Sequence, residues 1–448
     1  MAGSSSKVAE VVIAGAGIAG VATAFALAER GVRNVVIADP RPPLSLTSRR
    51  PEANHRAWWP QPAMIELATR SIERIEALRA DGARIPIDWR GYLYVSDDEA
   101  TAGRLASLVA AHPARLASQA EAIDASELHH RWPHLGPQAL GGILVGRAGG
   151  LDTVALGESM LARAQARGAR LVQGRVVRVA TLGRRVSGVR LETPSEPLDV
   201  ACDIVVDAGG PFARALAQLA GADLPIETVL RQKVVIRDVA HVIPRDAPFT
   251  ITLDGRTVPW TEPERARIAR IPDGRRLLGR LPAGIHVKPD DTSGPGAIKL
   301  GWAWDQRPSA PVEAPQLPPE FPRQVLLGAA SVIPALAPYA TAVASDPSAI
   351  VAHDGGFYAR APDGLPLIGP VGGDAPSGFH TVSGLAGFGA MMAAAAGELA
   401  AGWILGRTAG MPTDGAGRLD GRAFDPRRFD DPVHREANRS GGGTTGEL

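Results

Sequence analysis

The chain of 448 residues contains a single cysteine, Cys202. One thiol excludes a disulfide framework within the chain and any cysteine-built metal cluster. Lysine is almost as scarce: among 48 basic residues only Lys7, Lys233, Lys288 and Lys299 are lysines. Charge of one sign is lacking too, since 48 basic residues face 47 acidic ones for a net charge of +1. The paired arginines at 49–50, 184–185 and 275–276 are scattered. Nothing in that distribution builds a nucleic-acid face or a polybasic membrane patch. The first apolar run is broken by glycines and ends at Glu29–Arg30, so it is not a membrane span. The opening "MAGSSSKVAE" shows no charged region followed by an apolar one, and the expectation is a cytoplasmic protein. No repeat recurs at a fixed period. His129, His130 and His134 fall in "LHHRWPHLG", where Pro133 breaks helical spacing and no acidic ligands accompany them. No metal is expected there.

What the chain does have begins at Val8. Val8 to Ala14 is a nearly continuous apolar run, as expected of a parallel strand buried on both faces. An alanine-rich helical segment follows to Arg30, Gly31 stops it, and Val35 to Ala38 reads as a second buried strand. The unit is βαβ. Gly15, Gly17 and Gly20 form GxGxxG at the first strand-to-helix turn. Glycines there permit a tight turn and close approach of a pyrophosphate to the helix N-terminus. Asp39 ends the second strand, where a carboxylate can accept a hydrogen bond from a ribose hydroxyl. Strand, turn, helix and acid in register predict a dinucleotide site.

Farther along, "MIELATRSIERIEALRA" has helical spacing and "GYLYVS" that of a strand. "ALGESMLARAQARGARLVQGRVVRVA" is a helix leading into a strand, and "DIVVDAGG" is a short buried strand with a helix from about Pro211. From roughly 228 to 330 strands and proline-rich loops take over. From 378 "GFHTVSGLAGFGAMMAAAAGELAAGWILG" restores strand, glycine turn and helix. With about two or three domains expected from length, α/β pieces lie at the start, middle and end, and β-rich material between them. The tail "RSGGGTTGEL" has the composition of disorder.

The stretch from about Val8 to Arg407 resembles the FAD-dependent amine and amino-acid oxidases, the superfamily of D-amino acid, glycine and sarcosine oxidases. "RWP" at 131–133 and "GGLD" at 149–152 resemble its domain crossover, and "DIVVDAGG" the strand whose glycine turn approaches the cofactor. "APDGLPLIGP" (361–370) resembles its C-terminal turn, and "GLAGFGAMM" (384–392) its glycine loop and flavin-facing helix. The resemblance implies an α/β fold in which a Rossmann-type FAD-binding domain is interleaved with an antiparallel-sheet substrate domain. The division expected is 1–85, 150–227 and 351–410 for FAD, 86–149 and 228–350 for substrate, and a partly disordered tail from 411 to 448. Expected FAD contacts are Gly15, Ala16, Gly17, Ile18, Ala19 and Gly20, then Asp39, Pro40, Arg41, Thr47 and Ser48. To these are added Val176 and Val177, Ala208, Gly209 and Gly210, and Gly384, Leu385, Gly387, Phe388, Gly389, Ala390 and Met391.

The same resemblance points to substrate groups. In "PEANHR", Arg56 falls where sarcosine oxidases carry a carboxylate-binding arginine, and Arg360 in "GGFYARAPDG" resembles that of the glycine and D-amino acid oxidases. Tyr358, two residues before Arg360, shares its strand face. A guanidinium fork suits a carboxylate better than an ammonium does; a plain ion pair is the alternative at each arginine. "IKLGW" resembles the strand whose lysine promotes reaction with oxygen, which gives that role to Lys299, with an edge-strand lysine reaching solvent as the alternative. Trp302 and Trp304 are expected to face away from Lys299 into core, and Trp58 and Trp59 to line the cavity or to staple the loop to the next helix. There are departures. Met391 replaces a carboxylate-binding lysine, and Gly356 stands near the position of the flavin-linking cysteine. His55 sits close to a histidine link of some relatives in a different local pattern, so FAD is expected to be non-covalent. The implied activity is oxidation of a carbon–nitrogen bond of an amino acid or N-substituted amino acid, with oxygen as the second substrate and no catalytic base if the amine binds neutral. The alternatives are a dehydrogenase of an amine or hydroxy acid using another acceptor, and a tailoring flavoenzyme whose substrate is carried on another protein.

Overall fold

A computed structural model describes residues 7–50, 54–111, 119–406, 411–412 and 418–438. Two large sheets organise it. The first has six strands in the order Leu367–Pro370, Phe379–Ser383, Ile204–Asp207, Val11–Ala14, Val35–Asp39 and Arg170–Gln173. Val11–Ala14, Val35–Asp39 and Ile204–Asp207 are apolar but for their ends, because both faces of this parallel part are covered, one by the helix Ile18–Glu29 and the other by the strands Arg175–Leu182, Arg185–Glu192 and Leu198–Ala201. The only antiparallel pairing in it is that of Leu367–Pro370 with Phe379–Ser383. The helix Ile18–Glu29 is buried nearly all round, pressed between this sheet and the helices Thr153–Ala166 and Gly389–Ile404. Its contact with the last is close: a Cβ on Gly397 would lie 2.5 Å from the Ala22 backbone.

The second sheet has eight strands: Ile350–Arg360, Glu227–Arg237, Ala297–Trp302, Ile285–Pro289, Phe249–Thr252, Tyr92–Ser96, Gly141–Val145 and Ala120–Asp124. All its pairings are antiparallel except Phe249–Thr252 with Tyr92–Ser96. One face packs Leu93, Val234, Ile285, Leu300 and Trp302 against the helices Phe321–Ala330 and Ala337–Ser345. Alternation sends Tyr92, Tyr94, Phe249, His286 and Lys233 to the other face, toward the first sheet. Trp302 is in the core, and Trp304 packs partly buried against it.

Two segments depart from the sequence-based division. Ile350–Arg360, assigned to the FAD part from 351, pairs along Glu227–Arg237 in the eight-stranded sheet. Its "HDGGFYAR" carries no apolar run that would mark the sheet it joins. The tail, set apart from the FAD part and expected to be partly disordered, packs against that part over 418–438: Phe424 is fully buried in its core, and Arg428 binds Asp363 at 2.6 and 3.0 Å. The stretch 439–448, read as disordered, lies outside the described residues. No helix among the described residues is long and apolar enough to cross a membrane.

Candidate active site

The turn after Val11–Ala14 shows what each glycine does. Gly15 has φ +117°, and a Cβ on it would lie 2.3 Å from the Ala208 carbonyl oxygen. On Gly20 a Cβ would lie 2.0 Å from the Gly15 oxygen, so glycine there lets the helix seat on the turn. Gly17 is different. A Cβ there would meet only the Ser48 Oγ at 3.4 Å, and the position opens onto a cavity of about 120 Å³. Asp39 braces the turn: Oδ2 accepts from the Ala16 N–H at 2.9 Å, and Oδ1 from the Arg41 N–H at 2.9 Å. Ser48 Oγ accepts from the Ile18 N–H at 2.9 Å, tying the loop 47–49 to the helix N-terminus.

Gly15, Gly17, Ile18, Ala19, Asp39, Arg41, Thr47, Ser48, Ala208, Gly209, Gly210, Gly384, Leu385 and Gly389 all line this small cavity. Several expected contacts do not. Ala16, Gly20 and Pro40 are not on its wall. Val176 is buried in core, and Val177 is 39% exposed where a bulge takes it out of the ladder. Asp207 backs the glycines: its Oδ1 accepts from the Gly209 N–H at 2.9 Å, and burial pushes its carboxyl up to about 8.

At Ile18, Thr47, Ser48, Ala386 and Gly389 the small cavity opens into a larger one of about 360 Å³, between the two sheets. Its near side is the second glycine loop, with Gly387, Phe388, Ala390 and Met391 on the wall. A Cβ on Gly387 would come 2.5 Å from the Tyr358 ring, and one on Gly356 would meet nothing within 4 Å. The far side is the eight-stranded sheet with its aromatic residues. Arg50, Arg56, Arg231 and Lys233 are also on the wall, and no aspartate or glutamate is among its described residues.

Arg56 ends the strand Asn54–Arg56, held against Ala148–Gly150, and is 4% exposed. Its guanidinium lies 3.5 Å from the Trp59 ring centre and 5.8 and 5.5 Å from those of Tyr92 and Tyr94. Trp58 and Trp59 are fully buried and not on the wall. Trp59 supports the arginine from behind and meets Phe388 edge-on at 4.4 Å. Tyr94 Oη and Thr153 Oγ1, both buried and on the wall, have no hydrogen-bond partner among the described residues. Tyr358 is on the wall as well.

Two expected cations are elsewhere. Arg360 shares the strand face of Tyr358, yet its guanidinium binds Gln306 through Oε1 at 2.5 Å and the carbonyl at 3.0 Å, with Glu227 3.7 Å away. Arg360 is not among the wall residues, whereas Gln306 is. Lys299 is buried and 3.1 Å from Asp290. Burial raises that carboxyl, but Lys299 and the hydroxyls of Ser293 and Thr292 outweigh it and hold Asp290 below the usual range. Lys299 is not on the wall either.

Among the wall residues that escaped the sequence reading are Arg231, Lys233 and His286. Arg231 Nη2 donates to Gln306 Oε1 at 2.9 Å, so Arg231 and Arg360 clasp one glutamine. Lys233 donates to the Arg50 carbonyl. His286 lies beside Phe249. The available signal was cations two residues apart in strands, 231 with 233 and 286 with 288, which alternation puts on one face. His55, which sits close to the histidine link of some relatives, and the single thiol of Cys202 are not on the wall. His55 Nε2 is 2.8 Å from the Asp88 carbonyl oxygen, and burial pushes the ring down to about 4. Burial pushes the Cys202 thiol up to about 12.

The profile of the DAO family, FAD dependent oxidoreductases, matches residues 10–403. No curated protein matches the chain by sequence. Among solved structures, L-proline dehydrogenase from P. horikoshii superposes with a TM-score of 0.71 at 21% identity, covering 95% of this chain and 98% of that one. Glycine oxidase from Geobacillus kaustophilus gives 0.69 at 18%, covering 94% and 99%. L-amino acid deaminase from Proteus vulgaris, lacking its specific insertion sequence, gives 0.68 at 20%, covering 96% of each. The residues fit FAD: Gly17 leaves open the space a Cβ would fill at a helix N-terminus, and the groove continues without a break past Gly356 and Gly387.

Proposed function

As a member of the DAO family of FAD-dependent oxidoreductases, the chain is an enzyme with FAD as its cofactor, and we propose that it oxidises the carbon–nitrogen bond of an amino acid or N-substituted amino acid, with oxygen as the final acceptor. The observation that carries the reading is Arg56, a buried guanidinium on a cavity wall without an acidic side chain among its described residues. Arg56 grips the substrate carboxylate through two parallel N–H···O bonds, and the Trp59 ring behind it fixes the plane of the fork. That hold sets the carbon next to nitrogen against the cofactor. The chemistry FAD would supply here, when bound, is that of a hydride acceptor for this carbon. Tyr92, Phe249, Ile251 and Trp302 keep water from the reacting carbon. Arg360 acts through Gln306, holding it on the wall with Arg231. The flavin is non-covalent, in keeping with Gly356 on the wall and with His55 and Cys202 off it.

The protein should purify yellow, and acid precipitation should leave FAD in the supernatant. Flavin in the pellet would overturn the non-covalent reading. Mixed anaerobically with a panel of amino acids and N-methyl amino acids, the flavin should bleach with at least one, and peroxide should appear on admitting air. Equal bleaching by the decarboxylated amine would remove the carboxylate anchor. A second reading, a dehydrogenase using another acceptor, is favoured by the pairing of Lys299 with Asp290, neither of which is on the wall. Bleaching without peroxide would select it.

A further inference from the structure

The wall described so far binds anions, and an amino acid brings an ammonium group as well. Hydride can leave the carbon only when its nitrogen has a lone pair to form the imine, so a proton must first go somewhere. On the described wall the other titratable side chains are arginines, Lys233 and tyrosines. None of these types takes up a proton near neutrality; histidine does.

His286 is also built for it. It is the second residue of Ile285–Pro289, and alternation buries Ile285 and Val287 while turning His286 to the cavity. Its cross-strand partner is Gly301, and a Cβ there would lie 2.2 Å from His286 Nε2 and 2.6 Å from Cε1. Glycine at 301 thus lets the imidazole lie across the neighbouring strand. His286 Nδ1 is 3.0 Å from the Gly284 carbonyl oxygen. A carbonyl only accepts, so Nδ1 carries the hydrogen and the lone pair of the neutral ring is on Nε2. The Phe249 ring, edge-on at 5.3 Å, fixes the imidazole from the other side. Lys233 lies across Gly301 in the same row, Lys288 is two residues along the same strand, and Lys299 on the Gly301 strand is neutralised by Asp290.

Resting on the amino-acid reading above, we infer that His286 is the catalytic residue that takes the proton from the substrate's amino group. The ammonium N–H bond breaks and its electron pair stays on nitrogen. An N–H bond forms at Nε2, and the imidazolium returns its proton to water after the product leaves. Hydride transfer from carbon is unchanged.

The test is anaerobic flavin reduction by the best amino acid, followed from about pH 7 to about pH 10. His286→Asn, which keeps a donor for Gly284, should bind FAD normally and at neutral pH reduce it at least about 100-fold more slowly. Its rate should climb with pH as the substrate ammonium ionises by itself, and approach wild type at the alkaline end. His286→Gln should behave the same way. A profile like that of wild type, or a loss equal at every pH, overturns the assignment. Failure of any amino acid to bleach the wild-type flavin overturns the parent reading, and this one with it.

Discussion

The glycine-lined end of the cavity is made of backbone, whereas the sheet-facing wall of its larger end is made of side chains from strands as distant in sequence as Tyr94 and Tyr358. In the first, residues 15 to 20 are neighbours both along the chain and in space, and what matters is the Cβ atoms they lack. In the second, Tyr94, Ile251, His286, Gly301 and Lys233 form one row because four strand pairings hold them in register. A one-residue slip in any pairing would turn a wall residue into the core. The contrast teaches that the two ends should fail differently when altered.

The largest effect should come from the backbone end. Gly20→Val drives side-chain carbon into the Gly15 carbonyl, 2.0 Å from even a Cβ, and should yield no folded holoprotein. A Cβ at Gly17 meets only Ser48, so Gly17→Leu should fold, with the helical circular dichroism of wild type and no visible flavin absorbance. If Gly17→Leu still binds FAD, the glycine cradle is not where the cofactor lies. Next comes Lys299→Met, which leaves Asp290 buried without its cation and should cost roughly 3–5 kcal/mol in denaturant unfolding. Anaerobic reduction and reoxidation by oxygen should stay close to wild type. Unchanged stability with slowed reoxidation would give Lys299 back its expected part at the flavin.

The smallest effects distinguish the two arginines. Arg56→Ala should lower kcat/KM for a carboxylate substrate on the order of tenfold to a hundredfold, as for the loss of about 1.5–3 kcal/mol of charge-assisted bonding. Arg360→Ala, removing a contact behind Gln306, should change it by no more than about threefold. A larger loss for Arg360→Ala would put that guanidinium on the substrate after all.

How much could be read beforehand follows the same divide. The βαβ unit, the glycine turn, Asp39 and the loop 384–391 were legible because each is a short, local pattern, and Asp39 and the loop do sit at the groove. Arg56 was located from a loop spacing and is on the wall. Arg360 and Lys299 were legible as unusual cations in strands, but not where they point. Arg360 meets Gln306 and Lys299 meets Asp290, residues that proline-rich loops and a turn bring back to them. Val177 was missed for a related reason, since the bulge that exposes it depends on the partner strand's register.

The strand–glycine–helix turn and its brace by Asp39 were thus readable from residue order alone, since missing side chains and a positive φ are properties of residue types at fixed spacing. Which cations face the cavity depends instead on long-range pairing. A strand residue's face follows from its parity, but the group it meets there is contributed by another strand or loop through pairing that no local pattern encodes. Gly301 beneath His286 is the plainest case, a missing side chain whose consequence falls on a residue fifteen positions away.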